Sequence, residues 1–149
     1  MNDTHQPSQE VSVIGLGSMG AGIARTFLES GCHVSVWNRS RAKVDELVSL
    51  GATACESPGE ALDANTHVVV CLSTYSVWRK IIEEHDLTGH FDDTCIIQLT
   101  TGTIDDVEGH ASLIKESGGR LADGAVLCYP SQLGTEDGSL LMSGAAEVL

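Results

Sequence analysis

A chain of 149 residues, 42% hydrophobic and 19% charged, has the make-up of a single globular domain. Its net charge of −13 argues against nucleic acid or an anionic membrane surface as a partner, and no apolar run is long enough to span a bilayer. The five cysteines (Cys32, Cys55, Cys71, Cys95 and Cys128) are odd in number and form no C-x-x-C pair, which argues against a disulfide framework or a zinc site and suits a reducing cytoplasm.

The first ten residues are polar and read as a short disordered lead-in, which leaves one domain over residues 11–149. Val11 to Ile14 is a β-branched strand that runs into a glycine cluster, and Ala21 to Ser30 reads as a helix stopped by Gly31. His33 to Trp37 is the second strand. Arg41 to Leu50 is the second helix, with Val44, Leu47, Val48 and Leu50 on its inner face and Gly51 at its end. A short strand falls near Thr53, and Ser57-Pro58 opens another helix. His67 to Leu72 contains three consecutive valines, the pattern of a parallel strand buried on both faces. Ser76 to Glu84 is a helix and Thr94 to Leu99 a buried strand. Thr103 can cap a helix that runs to Ser117, with Asp105 and Asp106 suited to its positive end. Arg120 to Asp123 and Ser139 to Ser143 read as further strands. The alternation of strand and helix with short connections predicts an α/β fold with a doubly wound parallel sheet.

Gly15-Leu16-Gly17-Ser18-Met19-Gly20 matches G-x-G-x-x-G, and it lies where that motif carries information, between a strand and a helix. Gly15 permits the tight turn, Gly17 lets the backbone approach a pyrophosphate, and Gly20 lets the helix pack closely on the strand. The helix N-terminus then offers free N–H groups to the phosphates. These features predict a dinucleotide-binding Rossmann unit. Its second strand ends at Trp37-Asn38-Arg39-Ser40, without the acid that holds the ribose 2′-hydroxyl of NAD. Arg39 and Ser40 could instead bind a 2′-phosphate, and Arg39, Arg41 and Lys43 place three of the eight basic residues within five positions. A solvated helix start would account for Arg41 and Lys43, but not for the missing acid. NADPH is therefore the expected cofactor. Ligands of open α/β sheets lie at the carboxyl ends of strands, which adds Leu72, Ser73, Thr100 and Thr101 to the candidate cofactor residues.

The run Val13-Ile14-Gly15-Leu16-Gly17-Ser18-Met19-Gly20 resembles the opening of the β-hydroxyacid dehydrogenase superfamily, which includes 3-hydroxyisobutyrate and 6-phosphogluconate dehydrogenases and the imine reductases. Hydroxyacid members carry Asp-Ala-Pro-Val-Ser-Gly-Gly, whose last three residues hold a substrate carboxylate. Here Leu127-Cys128-Tyr129 replaces them, which argues against an acidic substrate. The stretch Tyr129-Pro130-Ser131-Gln132-Leu133-Gly134-Thr135 and the loop Leu99-Thr100-Thr101-Gly102-Thr103 are similar to the imine reductases and reductive aminases. Gln98 stands where many imine reductases have Asn. The resemblance implies NADPH-dependent hydride transfer to a C=N bond of a small imine, or to a carbonyl. It places Thr100 and Thr101 near the nicotinamide, although plain helix-start chemistry would also explain them. It makes Gln98 and Tyr129 candidate substrate contacts.

Tyr129 could donate a proton or simply pack at a loop, and it is the one catalytic candidate the sequence offers. Asp123 reads as structural, and the six histidines (His5, His33, His67, His85, His90 and His110) lack metal spacing. Family members are about twice this length and homodimeric, with a helical C-terminal domain that supplies the proton donor. The resemblance therefore implies a cofactor half that ends near the start of a long interdomain helix. A hydroxyacid or aldehyde reductase, or a non-catalytic NADPH-binding module, are the other readings.

Overall fold

The computed structural model describes residues 9–145, so most of the expected lead-in lies outside the described residues, as do the last four residues of the expected domain. The first strand, β1 (Glu10–Ile14), begins one residue before the expected start of the domain. There follow α1 (Ser18–Glu29), β2 (His33–Trp37), α2 (Arg41–Val48), β3 (Thr53–Ala54), α3 (Pro58–Ala64), β4 (His67–Val70), α4 (Tyr75–His85), β5 (Cys95–Gln98), α5 (Ile104–Glu116), β6 (Arg120–Val126) and β7 (Leu140–Gly144). Short 3-10 turns cover Leu87–His90 and Pro130–Gln132.

The strands form one sheet in the order β3-β2-β1-β4-β5-β6-β7. The first six strands pair in parallel, and β7 runs antiparallel to β6. This is the doubly wound arrangement, with its switch point between β1 and β4, where ligands of such sheets bind. Each face is covered. Ile23 and Ala24 of α1 and Val44 and Leu47 of α2 pack on one side, against Val11, Val13, Val34, Val36 and Val69. Leu62, Trp78, Ile82 and Ile114, from α3, α4 and α5, cover the other, against Ile14, Val68, Val70 and Ile96. Val68 and Val70 thus face one layer and Val69 the other, which is why β4 reads as continuous valine.

Two expectations are corrected. The second helix ends at Val48, and Val48 and Leu50 are exposed (40% and 53%), because the buried stripe consists only of Val44 and Leu47 and the chain turns at Gly51 with φ at +107°. The first helix begins three residues earlier than expected, directly on the glycine loop. Thr103 does cap α5: its hydroxyl accepts from the Asp106 N–H while the Asp106 carboxylate accepts from the Thr103 N–H, and these bonds hold that carboxyl below its usual range.

His110 is a packing residue. Its Nε2 accepts the indole N–H of Trp78 at 3.2 Å, and burial pushes its pKa from 6.5 down to about 4. The unfolded chain therefore takes up this proton first as the pH falls, so His110 draws stability down between pH 6.5 and about 4. The full loss is roughly 3 kcal/mol for a shift of this size. Urea unfolding at neutral pH and near pH 4 should show that decline. His110→Gln, whose amide oxygen can still accept from Trp78, should flatten it.

Candidate cofactor site

The glycine loop leaves the carboxyl end of β1 and enters α1 directly. Gly15 has φ at +96°, donates its N–H to the Trp37 carbonyl at 3.0 Å, and has no room for a side chain, since a Cβ there would fall on the Cys71 carbonyl oxygen. At Gly20 a Cβ would fall on the Gly15 carbonyl oxygen. Both glycines are thus required by the chain's own packing. Gly17 differs. Its backbone is ordinary extended chain (φ −66°), and a Cβ would meet nothing within 4 Å. Nothing within the chain requires a glycine there, and the space it leaves lies at the uncapped N-terminus of a 12-residue helix.

That space is part of a cleft of about 450 Å³. The whole loop from Gly15 to Gly20, including Leu16, Ser18 and Met19, forms its floor. Asn38, Arg39, Ser40 and Lys43 line one end, and Cys71, Leu72 and Ser73 line the other. Trp37, Val77 and Ile81 add apolar wall that the sequence reading did not assign to the site. The spacing of Val77 and Ile81, one helical turn apart, could have suggested it. Burial pushes the Cys71 thiol up, so it stays protonated.

Asn38 works mainly within the chain. Its Oδ1 accepts the Leu16 N–H at 3.0 Å and its Nδ2 donates to the Ser40 carbonyl at 3.3 Å, so it fastens the glycine loop to the end of β2. The basic residues separate clearly. The Arg41 guanidinium bonds to Asp45 at 3.0 Å and Glu56 at 2.7 Å, and it is absent from the cleft lining. Arg39 and Lys43 are exposed, line the cleft, and form no ion pair among the described residues. Among the described residues, the end of β2 thus offers the cleft two free cations and no carboxylate, in a chain of net charge −13.

The candidates beyond β4 need more correction. Gln98 is completely buried, so it cannot touch a substrate directly as the sequence reading expected. Thr100 is 3% exposed, its hydroxyl accepts the Leu72 N–H at 3.0 Å and its own N–H donates to Gln98 Oε1 at 3.1 Å; it therefore supports the cleft wall from behind. Thr101 is exposed on the same loop but outside the cleft lining. Tyr129 is 76% exposed, and its backbone N–H donates to Gln132 Oε1 at 2.8 Å. Asp123 accepts a hydrogen bond from the buried Tyr75 hydroxyl at 2.8 Å, in keeping with a structural role, and burial together with that carboxylate pushes the tyrosine's pKa up. Among the described residues no group of three His, Cys, Asp or Glu side chains could hold a metal ion, and no helix is long and apolar enough to cross a membrane.

Comparison with known proteins agrees with this geometry. The family described as the NAD binding domain of 6-phosphogluconate dehydrogenase matches residues 10–148. The chain is 31% identical to an NADPH-dependent reductive aminase of Aspergillus oryzae, with 92% of this chain and 46% of that protein aligned. It is 33% identical to glyoxylate/succinic semialdehyde reductase 1 of Arabidopsis thaliana, over 93% of this chain and 48% of that one. A solved imine reductase from Myxococcus stipitatus, in complex with NADP+, superposes with a TM-score of 0.88 at 29% identity, covering 95% of this chain and 48% of that one. The chain thus spans about half the length of the relatives it matches. Strand order, glycine loop and family match agree: the chain belongs to the family of the 6-phosphogluconate dehydrogenase NAD binding domain, an NAD(P)-binding oxidoreductase domain of Rossmann type with imine reductases and hydroxyacid reductases among its relatives.

Proposed function

We propose that the cleft takes NADPH in preference to NADH, and that the domain serves hydride transfer to a C=N bond. The observation that carries the cofactor reading is the end of β2, where, among the described residues, Arg39 and Lys43 form no ion pair beside Ser40 and no acid lines the cleft to repel a 2′-phosphate. Gly17 supports it, since the one position of the loop with free space is the one a pyrophosphate would approach. In this reading the glycine loop and the N-terminus of α1 hold the pyrophosphate, Arg39, Ser40 and Lys43 hold the 2′-phosphate, and Asn38 keeps those two parts in register. The bound nicotinamide supplies the hydride; the protein binds, orients and shields it.

Fluorescence titration with both cofactors tests the reading. NADPH should bind more tightly than NADH, and equal affinities or a preference for NADH would refute it. Arg39→Ala should weaken NADPH binding by about 1.5–3 kcal/mol, the scale of a hydrogen bond to a charged group, and change NADH binding much less. If both fall together, Arg39 stacks on the adenine or holds the fold and does not read the phosphate.

The choice of a C=N substrate rests on the likeness to the reductive aminase and on Leu127-Cys128-Tyr129. The Arabidopsis relative favours a second reading, an aldehyde reductase. Imine and aldehyde substrates compared in a longer form of the protein separate the two. A homodimer in a reducing compartment such as the cytoplasm belongs to the same proposal, and light scattering on the purified protein tests the dimer.

A further inference from the structure

We infer that Gln98 is a positioning residue for the half of the cleft farthest from Arg39, acting through Thr100 and Leu72. Gln98 ends β5 with its side chain fully buried. Its Oε1 accepts the Thr100 N–H at 3.1 Å, and the Thr100 hydroxyl accepts the Leu72 N–H at 3.0 Å. Leu72 lies against the glycine loop, so close that a Cβ on Gly15 would come within 2.8 Å of its Cδ2. One hydrogen bond therefore braces the loop after β5 on its own strand, a second joins that loop to the loop after β4, and contact carries the link on to the glycine loop. Gln98 Nε2, at the other end of the same amide, is buried with no hydrogen-bond partner among the described residues. A buried donor left unpaired costs about 1–3 kcal/mol, and a methionine of similar volume would avoid that cost. The amide is therefore kept for its carbonyl end, which holds the Thr100 loop.

The sheet order says which part of a ligand this link governs. The carboxyl ends run β2, β1, β4, β5 across the top of the sheet. A dinucleotide with its 2′-phosphate at Arg39 and Lys43 crosses the glycine loop and lays its second nucleotide toward Leu72 and Ser73. The inference rests on that reading of the cleft. Cutting the link should loosen the second half of the cofactor and leave the first half untouched.

The test compares NADP+ with 2′,5′-ADP, which carries the 2′-phosphate but lacks the nicotinamide nucleotide. Both are titrated calorimetrically into the native chain, Gln98→Met, Thr100→Val and Thr100→Ser, with circular dichroism on each sample. Gln98→Met and Thr100→Val should each weaken NADP+ binding about five- to tenfold, the scale of one buried neutral hydrogen bond, and leave 2′,5′-ADP within about twofold. Thr100→Ser keeps the hydroxyl and should bind both ligands as the native chain does. Unchanged NADP+ affinity in the variants, or equal loss for both ligands, overturns the inference. Should Gln98→Met fail to fold, the contrast between Thr100→Val and Thr100→Ser decides it. Failure of 2′,5′-ADP to bind the native chain would instead overturn the placement of the 2′-phosphate.

Discussion

Gly17→Val should abolish dinucleotide binding in a chain that stays folded. The fold has no need of a glycine at this position: its φ is −66°, and a Cβ would meet no atom within 4 Å. Valine can adopt that extended conformation, so the cost to stability should stay within about 0.5 kcal/mol, as for surface substitutions without a special role. A phosphate approaching the N-terminus of α1 would meet the branched side chain, and the backbone N–H groups would be held beyond hydrogen-bond reach. A loss of at least 100-fold in affinity, roughly 3 kcal/mol, is the expected scale. Gly20→Val supplies the contrast, because its side chain would collide with the Gly15 carbonyl and should unfold or severely destabilise the chain. Circular dichroism and NADPH titration on the same samples separate the two cases. Tight binding by Gly17→Val would mean that the dinucleotide does not lie on this loop.

The strand–loop–helix unit was legible because its glycines answer to rules of short range: a tight turn, a close helix and an open approach. The end of β2 was legible for a similar reason, since charge and the lack of an acid are properties of a few adjacent residues. What the sequence could not separate is Arg39 from Arg41. Both lie in one basic stretch, but Arg41 is turned toward Glu56, a partner 15 residues away that becomes a neighbour only when β3 pairs with β2. Gln98 and Thr100 read as outward-facing from the loop motif they share, but strand alternation turns Gln98 inward. Ile96 is buried beneath α4 and α5, so Gln98, two residues on, shares that inner face. Val48 and Leu50 failed for a different reason. Helical periodicity identifies a face but does not say where the helix stops, and here it stops before Leu50 can turn inward. The antiparallel direction of β7 depends on the turn and loop over 127–139, which carry no periodic signal.

The 149-residue chain should bind NADPH yet reduce an imine only at a trace rate. Hydride addition to C=N leaves a nitrogen that needs a proton, and a positioned acid typically contributes about 10²–10⁴-fold to such a step. The titratable side chains lining the cleft are Arg39, Lys43 and Cys71. The two cations stand at the end of β2, where the proposal puts the 2′-phosphate, and the half-buried Cys71 thiol is a weaker acid than an ordinary cysteine. Tyr75 already donates its hydroxyl to Asp123, and His110 is held neutral while accepting from Trp78. Tyr129 is largely in solvent and is not among the residues that line the cleft. Beyond Ile81 no described residue lines the cleft to hold a substrate against the nicotinamide, and such alignment accounts for about 7–11 kcal/mol of barrier in well-oriented reactions. The assay is NADPH oxidation by the purified chain with a pyrroline, then with a ketone and an amine together, alongside a titration to prove that the cofactor is bound. Binding without turnover is the expected result. Robust, stereoselective reduction would show that the described residues suffice for catalysis and would return Tyr129 to consideration as the acid, a role that Tyr129→Phe would then test directly.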